Sequence, residues 1–303
     1  MRDSAVLLID CPDRKGLVAR VSSLLYERGA NILHADQHRD HDLGLFFMRV
    51  EWALNAPAGP PAAGSIDFAK PQPVTELFDL DGFKSAFAPL AAELGMRWQL
   101  SSSVRRSRVA LFCSQYLHCM ADLLQRWRTG ELEYEIPVIV SNHREVERLA
   151  GFYGIPFEFV PVAASKRAEA ESHQLELLNE YGIELVVLAR YMQILSPAFV
   201  ARYPSSIINV HHSFLPAFTG ARPYHAAHAR GVKLIGATSH YVTDLLDDGP
   251  IIEQDVARIS HRDQVEDLVA RGRDLERGVL SRAVRWHLDR RILCYGNKTV
   301  VFD

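Results

Sequence analysis

The 303-residue chain contains no CxxC pair; its four cysteines, Cys11, Cys113, Cys119 and Cys294, are scattered. That spacing excludes the common thiolate zinc sites and dithiol redox motifs and leaves reduced thiols of a cytoplasmic protein as the expectation. Neither GxGxxG nor GxxxxGK[ST] occurs, so the two familiar glycine-rich phosphate cradles are absent. No apolar run approaches a membrane span, and the short run Ala5 to Ile9 lies between Asp3 and Asp10, unlike a signal peptide. Charge of one sign is also lacking. With 34 Lys and Arg against 37 Asp and Glu, the formal net charge is -3, too weak a field to gather nucleic acid or an anionic membrane. A small-molecule partner is the expectation.

What is present suits a soluble globular protein. The chain is 48% hydrophobic and 23% charged, and its length predicts two domains, each with a core of its own. In the first, "SAVLLIDC" reads as a strand and "LVARVSSLLYERGA" as a helix, with Leu17, Val21, Leu24 and Leu25 at helical spacing and Gly29 as its C-terminal stop. "NILHADQHRD" and "LGLFFMRVEW" follow as a hairpin, then a Pro-, Ala- and Gly-rich insertion over about 53–74, a helix around Leu80 to Leu94 and a strand "MRWQL". The order is βαββαβ, a ferredoxin-like arrangement. "DCPDRKGLVARVSSLLYERGANI" resembles the start of an ACT domain. The resemblance implies a regulatory or oligomerising module over residues 1–103, pairing of two copies, and an amino-acid effector such as glycine or methionine.

"SSSVRRSR" is a polar linker, and from Val109 strands alternate with helices, which predicts a mostly parallel, Rossmann-like sheet over residues 104–303. In such a sheet ligands sit beyond the carboxyl ends of the strands. One strand there ends in "IINVHHSFLPAFTGARPYH", residues 207–225. Side-chain alternation puts Asn209 and His211 on one face and His212 on the other. An amide beside an imidazole suits a tetrahedral intermediate, the amide holding an oxyanion while the imidazole carries a proton. Downstream, "GATSHYVTDLLDDGPIIEQD" places His240 on a strand and crowds Asp244, Asp247 and Asp248 into one turn. Crowded carboxylates are expected to raise one another's pKa, and spacing does not choose among them.

These two stretches together resemble the folate-dependent formyltransferase family over roughly residues 107 to 303. The resemblance assigns catalysis to Asn209, His211 and Asp247 and a folate-pterin slot to "LARYMQILSP", with Tyr191, Met192, Gln193, Ile194 and Leu195 lining it. It adds His212, Ser213, Gly220, Tyr224 and His225 as pocket residues. The first loop, "FCSQYLHC", lacks the glycines with which the phosphate-binding members hold their amine substrate. An ACT-like unit joined to such a domain resembles the hydrolytic branch of the family, and that resemblance implies water as formyl acceptor: a hydrolase of 10-formyltetrahydrofolate without metal or tightly bound cofactor, balancing folate pools and supplying formate for purine synthesis. Two alternatives stand beside it: a metal-dependent hydrolase using His211, His240 and Asp247 as ligands, and a formyltransferase to an amine. His225 and His228 form an HxxH spacing that does not by itself make a metal site.

Overall fold

A computed structural model describes residues 3–57, 74–216 and 223–303. It divides into two compact units, residues 1–105 with 302–303, and residues 106–301.

The first unit runs β1 (Ser4–Pro12), α1 (Leu17–Glu27), β2 (Asn31–Asp40), β3 (Leu45–Ala53), β4 (Asn55–Pro57), β5 (Val74–Leu77), α2 (Leu80–Leu94) and β6 (Arg97–Ser102). Its antiparallel sheet has the order β2-β3-β1-β6. Alternate residues of β1 and β3, among them Leu7, Ile9, Met48, Val50 and Trp52, meet Leu17, Val21 and Leu25 of α1 and Phe83 and Phe87 of α2 in one core. The helix α1 ends where Gly29, at φ 77°, turns its chain left-handed and the Ala30 N–H reaches back to the Leu25 carbonyl. Asp79 starts α2 by accepting from the Gly82 N–H at 2.9 Å. The expected insertion is flanked by a ladder, because β4 pairs antiparallel with β5; residues 58–73 of it lie outside the described residues.

The second unit runs β7 (Arg108–Cys113), α3 (His118–Arg128), β8 (Glu135–Ser141), α4 (Glu147–Tyr153), β9 (Phe157–Phe159), α5 (Arg167–Glu180), β10 (Leu185–Leu188), α6 (Pro197–Val200), β11 (Ile207–His211), α7 (Pro223–Arg230), β12 (Leu234–Tyr241), β13 (Ile251–Arg258), α8 (Val265–Leu288), β14 (Ile292–Tyr295) and β15 (Lys298–Val301). Seven strands form one sheet in the order β13-β12-β11-β10-β7-β8-β9. From β9 to β11 neighbours are parallel; β12 runs against β11, and β13, antiparallel to β12, returns to the direction of the parallel strands. Central strands buried on both faces, such as "LVVL" of β10, need apolar side chains throughout. From β7 the chain builds β8 and β9 on one side and then returns to build β10 on the other, so the order reverses between β7 and β10. A crevice opens beyond the strand ends at such a point.

Candidate active site

The strand β11 ends at His211. Its antiparallel partner β12 sets Asn209 opposite His240 and His211 opposite Thr238. A register shift in the β12–β13 ladder falls between Ser239 and His240, the kind of irregularity that re-aims a side chain. The His240 Nδ1–H donates to the Tyr241 carbonyl at 2.9 Å, and its Nε2 accepts from the Asn209 amide at 3.2 Å. Burial pushes the His240 pKa down, which keeps the ring neutral and Nε2 an acceptor. This relay fixes which way the Asn209 amide points.

Asp247 arrives from the turn after β12. Its Oδ2 lies 3.2 Å from His211 Nδ1 and its Oδ1 3.8 Å from His240 Nε2. Two backbone features bring it there. Asp247 adopts φ 54°, and Gly249 packs so close to β12 that a Cβ would lie 1.7 Å from the Tyr241 carbonyl oxygen. The glycine of Asp-x-Gly-Pro is therefore a steric requirement of the turn. Asp244 and Asp248 are exposed, so the expected mutual repulsion of three carboxylates does not arise. Burial pushes the Asp247 carboxyl up, but the hydrogen bond with His211 and that ring's charge outweigh it, leaving the pKa below the ordinary value. The direction is opposite to the sequence expectation because imidazoles, not aspartates, surround the group.

The two adjacent histidines are not separated as alternation predicts. His212 lies just past the last strand residue, and its ring centroid is 5.1 Å from that of His211 and 6.1 Å from that of Tyr224. His211 is 6% exposed and its Nε2 has no hydrogen-bond partner. The loop holding these rings is tied to β12 and β13: Thr238 Oγ1 accepts from the Leu215 N–H and donates to the Ser213 carbonyl, and Gln254 donates to Thr238 Oγ1 and the Leu215 carbonyl.

The loop after β10 is bound to the loop after β7. The Ser114 N–H donates to the Arg190 carbonyl, and Ser114 Oγ accepts from the Met192 N–H. Met192 and Ile194 are exposed at 47% and 55%, as a slot for a flat ring needs. Tyr191 and Leu195 point inward instead. The Tyr191 ring packs edge-on against Phe112 at 5.3 Å, and its hydroxyl accepts from Gln174 at 2.8 Å, so only their backbone is left for a ligand. Gln193 is half-buried between them. On α7, Tyr224 is buried while His225 and His228 are exposed; successive helix residues point about 100° apart, so only Tyr224 joins the cluster. Gly220 lies outside the described residues.

Sequence reasoning missed a second cluster. Glu276 of α8, 1% exposed, accepts from the Tyr224 hydroxyl at 2.7 Å and from His118 Nε2 at 2.8 Å, and pairs with Arg190 Nε at 3.4 Å. Burial pushes its carboxyl up, but the His118 hydrogen bond and the Arg190 charge more than offset this. His118, Cys119 and Glu276 are the one trio with metal-ligand spacing among the described residues, their donor atoms within 4.8 Å. The Arg190 guanidinium already supplies positive charge there. A glutamate preceded by "RDL" in a helix carries no local signal of this role; only the fold brings it to the strand ends.

Comparison with known proteins gives the same division. A formyl transferase family model matches residues 107–284 and an ACT domain model residues 5–51. The formyltetrahydrofolate deformylase of Synechocystis sp. is 51% identical over 99% of this chain and 98% of its own, and that of Bacillus subtilis 47% identical over 99% and 94%. The crystal structure of a formyltetrahydrofolate deformylase from Pseudomonas syringae pv. tomato superposes with a TM-score of 0.91 at 46% identity, covering 100% of this chain and 95% of that one.

Proposed function

The chain belongs to the formyltetrahydrofolate deformylase family, hydrolases of folate one-carbon metabolism, and on that premise we propose that Asn209, His211 and Asp247 hydrolyse 10-formyltetrahydrofolate with water as nucleophile and no metal ion. The observation that carries this reading is the polarity of His211. Its Nδ1 faces the Asp247 carboxylate, while Nε2 is buried without a partner beside an amide of fixed orientation. An imidazolium there offers its Nε2–H to the formyl oxygen, and the second Asn209 N–H offers another, so that both donors meet the charge that develops on that oxygen.

Water attacks the formyl carbon and gives its proton to Asp247, through Oδ1, which at 3.8 Å from His240 is outside hydrogen-bond range. The tetrahedral oxyanion is held by Asn209 and His211. As the carbon–N10 bond breaks, His211 protonates N10, and Asp247 returns a proton to His211 across their 3.2 Å contact. Formate and tetrahydrofolate leave. The pterin ring of the substrate lies against Met192, Ile194 and the backbone of the β10 loop, with His212, Ser213 and Tyr224 shaping the water side.

The first unit is read as the control element: a sheet that pairs two copies and takes an amino acid such as glycine or methionine, coupling one-carbon supply to formate release for purine synthesis in the cytoplasm. Among the described residues no helix is long and apolar enough to cross a membrane.

One experiment tests the chemistry. The protein is incubated with 10-formyltetrahydrofolate alone, with and without a chelator. Formate equal to tetrahydrofolate in both arms is expected. Activity that the chelator removes and zinc restores overturns the metal-free reading, and formate that appears only with an added amine overturns water as nucleophile.

A further inference from the structure

His211 stands between two groups of side chains. The sheet order places β12, with His240 and the turn bearing Asp247, on one side of β11, and β10 then β7 on the other. On that second side lies the reversal point between β7 and β10, where an open α/β sheet offers its crevice to a ligand. Here side chains from three segments of the chain converge. His118 comes from the first turn of α3, Arg190 from the loop after β10 and Tyr224 from the first turn of α7, and all three converge on the one carboxylate of Glu276.

The convergence is built into the backbone. Gly272, one turn before Glu276 on α8, lies where a Cβ would be 2.1 Å from the Tyr224 hydroxyl oxygen, so any larger residue there would expel the tyrosine. Arg190 takes φ 64°, and its guanidinium lies 5.4 Å from the centroid of the Tyr116 ring. Charges within the cluster offset one another, and Tyr224 joins it to the active site through the rings of His212 and His211. Nothing in the hydrolysis derived above uses Glu276, His118 or Arg190.

We propose that the Glu276 cluster is a plug that determines specificity: it closes the approach to the formyl carbon from the reversal point of the sheet, so that water reaches the carbon and a primary amine does not. The inference rests on Asn209, His211 and Asp247 being the reacting site. An amine that did enter would form a carbon–nitrogen bond as the carbon–N10 bond broke, its proton passing to N10, and the product would be a formamide instead of formate.

The test supplies 10-formyltetrahydrofolate with increasing glycinamide and measures N-formylglycinamide against formate by mass spectrometry. The wild-type protein is expected to yield formamide at the level of an enzyme-free control. Glu276→Gln, which keeps an acceptor for Tyr224 but removes the charge holding Arg190 and His118, is expected to raise the formamide-to-formate ratio at least tenfold. Tyr116→Ala alters a side chain 39% exposed, so it is the variant that decides if Glu276→Gln does not fold; a rise of at least threefold is expected. Loss of packing alone would lower both products together and leave the ratio unchanged. Wild-type formamide above the control in proportion to glycinamide overturns the proposal, as does an unchanged ratio in the folded variants. Failure of the underlying site assignment is seen separately, as formate release that survives His211→Ala.

Discussion

In the four-stranded sheet the buried polar side chains among the described residues are Ser4 and Arg49, and both are satisfied by one neighbour. Glu51 accepts from the Ser4 hydroxyl and from the Arg49 guanidinium, each at 2.8 Å. At the carboxyl ends of the seven-stranded sheet, His211, His212, His240 and Glu276 are all buried, and His211 Nε2, Ser213 Oγ and Ser239 Oγ have no hydrogen-bond partner. Among the described residues the first unit has one such atom, the indole nitrogen of Trp52. Burial without a partner is costly. Where it gathers around an imidazole and a carboxylate, the unsatisfied atoms mark a surface shaped for a substrate. Where polar burial is rare and closed, the core serves packing.

The strongest way to break this contrast is to substitute within the reactive cluster. Asn209→Ala, His211→Ala and Asp247→Ala are each expected to reduce turnover on the order of 100- to 1000-fold while leaving a cooperative melt. A formate assay beside thermal denaturation checks both halves, and full turnover in any one variant removes that residue from the mechanism. A backbone substitution should come next. Gly249→Ala drives a Cβ into the Tyr241 carbonyl and displaces Asp247, for a loss of about tenfold or more in kcat. Wild-type kcat with a raised melting temperature would show the turn to be irrelevant.

Acid sharpens the contrast further. Burial drives the His287 pKa down to about 3, and its Nδ1 accepts from the Tyr241 hydroxyl at 2.7 Å. Between the ordinary value near 6.5 and that lowered one, the unfolded chain binds a proton that the folded chain does not. Stability therefore falls as pH drops through this window, by at most about 1.4 kcal/mol per unit from this group. His287→Asn keeps an acceptor for Tyr241 and should flatten the slope in urea denaturation between pH 7 and 5; an identical slope refutes the assignment. The smallest effect belongs to the first core. Ile9, fully buried, should lose about 1 kcal/mol of stability on Ile9→Val with turnover unchanged. A large drop in formate release would mean that this core does more than pack.

The elements were legible wherever one local rule decided them. Leu17, Val21 and Leu25 at helical spacing all face the first core, and strands flanked by helices produced the parallel run of the second sheet. The pairing of Asn209 with His211 on one strand was legible for the same reason. Four features were not. His240 orients Asn209 only because β12 runs antiparallel to β11 in a particular register, which no residue near either position reveals. His212 lies beyond the strand end, where alternation stops applying. Glu276 is 67 residues from Asn209 in the chain and enters the story through helix packing, and the direction of the Asp247 pKa depends on neighbours that are distant in sequence. Local periodicity predicts which surface a side chain leaves from. It does not predict whom it meets.

Asp247 answers two questions at once. At φ 54° its backbone lies where glycine, asparagine and aspartate settle with little strain and bulkier or branched residues do not. Facing His211, its side chain has to carry negative charge in the mechanism proposed above. Glycine and asparagine meet the first demand and fail the second; glutamate meets the second and fits the first poorly. The usable alphabet at this position has a single letter, whereas exposed Asp248 beside it is under neither constraint. A turn that admits one letter also makes a clean instrument, since Asp247→Asn edits the charge and leaves the spelling of the backbone intact.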